Sequence, residues 1–222
     1  MKKILITVLL IGIAIVGASA MVIDKEGPFH KEEITKEEIR NKELETYKIT
    51  QFKNNNVFVR TRFNITTKDE LIMYKKTRVA TLINLSQKLL PETPVSAVIT
   101  FKNKLSLEEY ISFENMYKLK AVNYMYSSYP EGTGVFSSDV PGESIVASEK
   151  EIQKNMGENF KLIDQISSVK TQIPTKDLMK IQNDPRIFLI DVGPEEIYTE
   201  NQNKVIQISM DYLYPVYSKV WR

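Results

Sequence analysis

The sequence predicts an α+β body behind a single apolar N-terminal helix. Three observations carry this reading: an uncharged run over residues 4–23, two helix-start signatures that each follow a strand-like segment, and a near-continuous apolar run at 187–192 that only Asp191 interrupts. Alternation with period two marks a strand with one buried face, whereas apolar residues three and four apart mark one face of a helix.

Within residues 4–23 only Thr7 and Ser19 are plainly polar, with Lys2 and Lys3 before the run and Asp24, Lys25 and Glu26 after it. About twenty apolar residues span a hydrocarbon core of about 30 Å. Positive charge ahead of the span keeps the N-terminus in the cytoplasm and places the body outside. Ala18-Ser19-Ala20 also fits a signal-peptidase site, so cleavage after Ala20 would secrete the body. The run continues through Met21, Val22 and Ile23, which favours a retained single-pass anchor in the cell membrane through residues 4–23.

The chain has no cysteine, which excludes a disulfide framework and thiolate chemistry. Its 30 basic and 28 acidic residues leave a net charge of +2, so no global field draws nucleic acid, and none is expected as a partner. An apolar content of 42% suits one globular domain.

Residues 24–55 read as a charged stalk. In residues 31–45, ten of fifteen side chains are charged, and Glu32/Lys36 and Glu38/Lys42 have the i, i+4 spacing of a solvated helix. Ile34, Ile39 and Leu44 recur every five residues and form no helical stripe. The folded domain is then expected over 56–222.

Within it, Val57, Val59, Thr61, Phe63 and Ile65 alternate as one face of a strand. Thr67-x-x-Glu70 opens a long helix with Leu71, Ile72, Val79, Leu82, Ile83, Leu89 and Leu90 as its expected apolar side, ended by Pro91 and Pro94. Residues 95–101 read as a strand, Ser106-x-x-Glu109 caps a second helix to about 118, and 121–126 is a strand again. Residues 127–148, with Gly132, Gly134, Pro141 and Gly142, read as a long loop. Strand-like 160–173, a short helix from Pro174 to Ile181 and an apolar strand at 187–192 repeat the strand, helix, strand order.

Two such units in tandem suggest a ferredoxin-like βαββαβ sheet, here with an additional N-terminal strand and long helix. The run Val95-Ser96-Ala97-Val98-Ile99-Thr100-Phe101-Lys102 before a glutamate-rich helix, and Asn183-Asp184-Pro185-Arg186-Ile187-Phe188-Leu189-Ile190-Asp191, resemble the two halves of subtilisin propeptide and inhibitor domains. The resemblance covers 95–126 and 160–193 and implies the same fold and, as one alternative function, protease inhibition.

No residue is assigned a catalytic, cofactor-binding or metal-binding role. The one histidine, His30, lies in the polar segment beyond the apolar run, and zinc would need further ligands. Gly132-Thr133-Gly134 lacks the Gly-Lys-Ser/Thr of a phosphate loop. Glu108/Glu109 and Glu195/Glu196 are sequence neighbours and suit capping and solvation. Asn64-Ile65-Thr66 and Asn84-Leu85-Ser86 match the glycosylation triplet. Lys68, Lys75, Lys76 and Arg78 read as a basic patch on the polar side of the long helix, open to water, an acidic polymer or lipid headgroups.

The candidate partner contacts are Tyr129, Glu131 and Phe136 in the loop, and Tyr212, Tyr214, Tyr217 and Trp221 in an aromatic tail that follows a strand at 205–210. The tail's alternative role is to close the domain core. The expected function is an anchored or exported extracytoplasmic domain that binds a protein or envelope component, with a propeptide-like inhibitor or an enzyme as alternatives.

Overall fold

The computed structural model describes residues 33–128, 132–137, 165–201, 204 and 206–221, the strands at 120–128 and 132–137 by their backbone. The fold is mixed α+β, built on two sheets. The proposed anchor at 4–23, His30, and most of the predicted 127–148 loop lie outside the described residues, and no helix among the described residues is long and apolar enough to cross a membrane.

The first sheet has the order β1-β2-β3-β9: β1 (Ile34–Asn41), β2 (Glu45–Phe52), β3 (Val57–Phe63) and β9 (Ile206–Met210). The charged segment expected to be a helical stalk is therefore β1 and β2. β1 is an edge strand, solvated along most of its length, so it shows no hydrophobic period, and its charges suit an unpaired edge. In β2 the inward residues are Glu45, Tyr47 and Ile49, opposite Phe63, Thr61 and Val59 of β3. The β2–β3 turn places Asn55 at φ 68°, a left-handed conformation that asparagine tolerates. β9 then runs parallel to β3, with Val57 opposite Ile206 and Thr61 opposite Met210. The intervening 142-residue stretch, 64–205, contains the whole second sheet, so both ends of the described chain frame one sheet.

The long helix α1 (Lys68–Lys88) starts at the expected capping box: Thr67 accepts from the Glu70 amide, and Glu70 accepts from the Thr66 and Thr67 amides. Its buried face is Leu71, Tyr74, Arg78, Thr81, Leu82 and Leu85. Ile83 and Leu90, expected inside, are exposed, and Arg78, expected on the polar side, is 2% exposed. The 3–4 spacing held, but an arginine and a tyrosine occupy core slots.

The second sheet has the order β6-β5-β7-β4-β8, with every neighbouring pair antiparallel. Its strands are β4 (Pro94–Ser106), β5 (Lys120–Ser128), β6 (Gly132–Ser137), β7 (Gln165–Pro174) and β8 (Ile187–Asp191). The glycines at 132 and 134, read as loop, belong to β6, which pairs with β5. Helix α2 (Leu107–Tyr117), capped by Ser106 and Glu109, lays Tyr110 and Phe113 edge-on against Phe101 of β4. A 3-10 turn (Thr175–Asp177) leads into the short helix α3 (Leu178–Gln182).

β8 is buried along its whole length, as its apolar run predicts, although it is a sheet edge. α1 crosses it, and helix α5 (Tyr214–Val220) covers Phe188 with Tyr217 at a centroid distance of 4.3 Å. Helix α4 (Glu195–Glu200) follows β8 after Gly193, whose φ of +75° and close approach to Ile208 both favour glycine.

Truncating Phe113 to alanine is expected to cost about 3–5 kcal/mol, because the aromatic cluster on β4 cannot collapse around the space. Lys118 ends α2 in the left-handed conformation at φ 51°, so Lys118→Gly should add about 0.5 kcal/mol. Urea unfolding of both variants checks the opposite signs.

Candidate functional site

A cleft of about 680 Å³ opens between the start of β2, α1 and α4. Its walls include Leu44, Met73, Thr77, Thr81 and Pro194, and Glu45, Tyr47, Tyr74 and Arg78 form its floor. A concave site of this size with a few convergent polar groups is the usual form of a ligand pocket.

The floor is a closed polar cluster drawn from three elements. Arg78 Nη2 donates to Glu45 and, at 3.1 Å, to Tyr47 Oη. Its Nε donates to Tyr74 Oη at 3.0 Å and lies 3.2 Å from Asp191 Oδ1. Tyr74 donates to Asp191, which also accepts the Gly193 amide at 3.1 Å. Asp191, at the end of β8, is 1% exposed. Tyr198 of α4 is buried beside this group and donates to the Ser96 carbonyl at 3.2 Å.

One guanidinium faces two buried carboxylates, and it can balance only one of them. Burial, then the charges of Asp191 and Glu196, push Glu45 up to about 8 against the pull of Lys42. Asp191 is also raised by burial, but Arg78, Tyr74 and the Gly193 amide all favour its ionised form. Burial and the neighbouring carboxylates thus favour the protonated form of Glu45. Burial and the two carboxylates drive the Tyr74 hydroxyl well above its usual range, so it stays a donor.

Ion pairs ring the mouth. Lys42 meets Glu196 at 2.9 Å, Arg40 meets Glu200 at 2.7 Å, and Lys88 meets Glu195. Glu195 and Glu196, read from sequence as solvated neighbours, thus pair with Lys88 of α1 and with Lys42 in the β1–β2 turn. Glu109 serves the α2 cap. Asn64 donates from Nδ2 to Thr46, and Asn84 lies exposed on α1.

Of the candidate contacts chosen from sequence, Tyr212, Tyr214, Tyr217 and Trp221 do not line this cleft. Tyr129 and Glu131 lie outside the described residues, and Phe136 sits in β6 opposite Tyr124. Tyr212 lies under the Lys170 ammonium at 4.7 Å. Tyr217 is buried and donates to the Lys102 carbonyl at 3.1 Å, Tyr214 packs 5.8 Å from it, and Trp221 remains 38% exposed. Sequence reasoning missed Arg78, Glu45, Tyr74 and Asp191. The available signal was the spacing of Leu71, Tyr74, Arg78, Leu82 and Leu85, which puts Arg78 in a core position.

No known protein family matches the chain, and neither a curated protein nor a solved structure is significantly similar to it.

Because Glu45 titrates near 4.5 when unfolded and about 8 when folded, the folded chain binds the extra proton between these values. Its contribution to stability is complete below about pH 4.5 and declines as pH rises toward 8, by an amount on the order of a few kcal/mol. Urea unfolding at several pH values should show this slope, and Glu45→Gln should flatten it; an unchanged slope would assign the proton elsewhere. Arg78→Met, which leaves Asp191 buried without its cation, should cost about 3–5 kcal/mol, and adding Glu45→Leu should recover part of that loss.

Proposed function

We propose that the chain is anchored by residues 4–23, carries its body outside the cell membrane, and works there as a binding domain whose ligand enters the Arg78 cleft. The observation that carries the ligand site is the buried Arg78–Glu45–Asp191 cluster at the floor of a cleft. Such a cluster is weak support for stability, since packed apolar residues usually serve at least as well. Perturbed ionisable groups in a cleft are in contrast common at functional sites. The mixture of buried Leu44 and Pro194 and exposed Met73 with polar floor groups suits a ligand, or a partner's side chain, that has an apolar body and a hydrogen-bonding head.

The finer fold reading is that the second sheet is ferredoxin-like. Its support is the strand order β8-β4-β7-β5, antiparallel throughout, with α2 joining β4 to β5 and α3 joining β7 to β8. The same order favours a second functional reading, a propeptide-like protease inhibitor. A subtilisin-type protease assayed with micromolar full-length chain decides it, and undiminished activity removes that reading.

The chain has no cysteine, so a single Glu92→Cys on the exposed α1–β4 connection reports sidedness. An external location predicts labelling by a membrane-impermeant maleimide in intact cells; labelling only after lysis would reverse the topology. A photo-crosslinking amino acid at Met73, on the cleft wall, should capture a discrete partner or ligand that the same group at Ile83, exposed elsewhere on α1, does not capture. Equal products from both positions would remove the cleft from the proposal.

A further inference from the structure

Six lysines of this chain pair with an acid: Lys36, Lys42, Lys48, Lys53, Lys88 and Lys176 each meet a glutamate. Lys68, Lys75 and Lys102 differ, because among the described residues no carboxylate pairs with any of them. Rings and a backbone carbonyl hold them instead. The Lys68 ammonium stands 4.6 Å over Trp221, the Lys75 ammonium 4.5 Å over Phe188, and Lys102 Nζ donates to the Pro185 carbonyl at 2.8 Å. One aromatic stack joins the three supports. Tyr217 packs on Phe188 at 4.3 Å and on Trp221 at 5.9 Å, and its hydroxyl donates to the Lys102 carbonyl.

We propose that Lys68, Lys75 and Lys102 form a recognition surface for a linear, phosphate-bearing polymer of the cell envelope, a source that rests on the external location proposed above. Three like charges that form no ion pair among the described residues repel one another, and an arriving anion relieves that repulsion. Lys102 already disfavours the charged form of Lys75, second to burial. Cation–π support fixes the ammoniums without neutralising them, and a compact ammonium meets a phosphate as a point charge. Lys68 and Lys75 lie seven residues apart on α1, about 10 Å along its axis, which suits successive charged groups of a chain better than a single phosphate.

Trp221 is the only tryptophan, so its emission reports the surface directly. The full chain in a non-ionic detergent is titrated at low salt with long-chain polyphosphate, with inorganic phosphate at equal phosphorus, and with phosphatidylglycerol vesicles. Polyphosphate should give a saturable emission change that weakens with added salt, and Lys75→Gln/Lys102→Gln should weaken it about tenfold or more. The control Lys118→Gln/Lys180→Gln should stay within about twofold of the parent, with matching thermal unfolding for both variants. No emission change, an equal loss in the control, or tighter binding to inorganic phosphate or vesicles through the same lysines overturns the proposal. The titration is indifferent to location, so its failure leaves the export reading intact. Failed external labelling of residue 92 would instead overturn the envelope as the source.

Discussion

A guanidinium with 2% exposure has to be compensated where it sits, and the way Arg78 is compensated organises the molecule. Its partners come from α1 itself, from β2 of the first sheet and from β8 of the second. α1 would otherwise be a surface helix crossing the edge of one sheet. The Arg78 contacts tie it to both sheets at once, and they fix its rotation as well as its position, because the guanidinium's fork must meet Glu45 on one side and Asp191 on the other.

The rim contrasts with this floor. The Lys42–Glu196, Arg40–Glu200 and Lys88–Glu195 pairs are partly exposed, and pairs of that kind contribute at most about 1 kcal/mol each. They do not hold α4 in place; Ile197 and Tyr198, both buried, do that. The ion pairs instead set the charge that an entering group meets, alternating across the mouth, while the deep cluster sets the proton content of the floor. The two layers respond to different variables, the rim to salt and the floor to pH.

The locally encoded features were the legible ones. Both capping boxes depend on residues three apart and both formed, and the near-continuous apolar run at 187–192 became a strand at Ile187–Asp191 buried on both faces. β1 was not legible, because an edge strand in water has no reason to alternate and its charges imitate a solvated helix; β2, whose Tyr47 and Ile49 face inward, was hidden because it begins inside the same charged run. The hairpin of β5 and β6 was hidden for a related reason: glycines at 132 and 134 carry turn chemistry, and only pairing with β5 makes them a strand. The site was the least legible part. Arg78, Glu45 and Asp191 lie in segments 33 and 113 residues apart, and while helical spacing can mark Arg78 as a core position, nothing local names its two carboxylate partners. Of the basic patch read from sequence, Lys68 is exposed, Lys75 half-buried and Arg78 buried, since helical position, not charge, decides which face is buried.

α1 shows why that distinction matters. At 100° per residue, Leu71, Tyr74, Arg78, Leu82 and Leu85 form a central stripe. Met73, Thr77, Thr81 and Lys88 fall on one side of it and line the cleft, while Lys68 and Lys75 fall on the other and stand on the aromatic rings of α5 and β8. The orientation that Arg78 imposes therefore sets both surfaces together. A rotation of α1 by one residue would bury a lysine without a counterion, expose an aromatic stack and remove the cleft's floor. Each of these is costly, so the cluster that looks least like a stability device is the one that leaves α1 a single workable register.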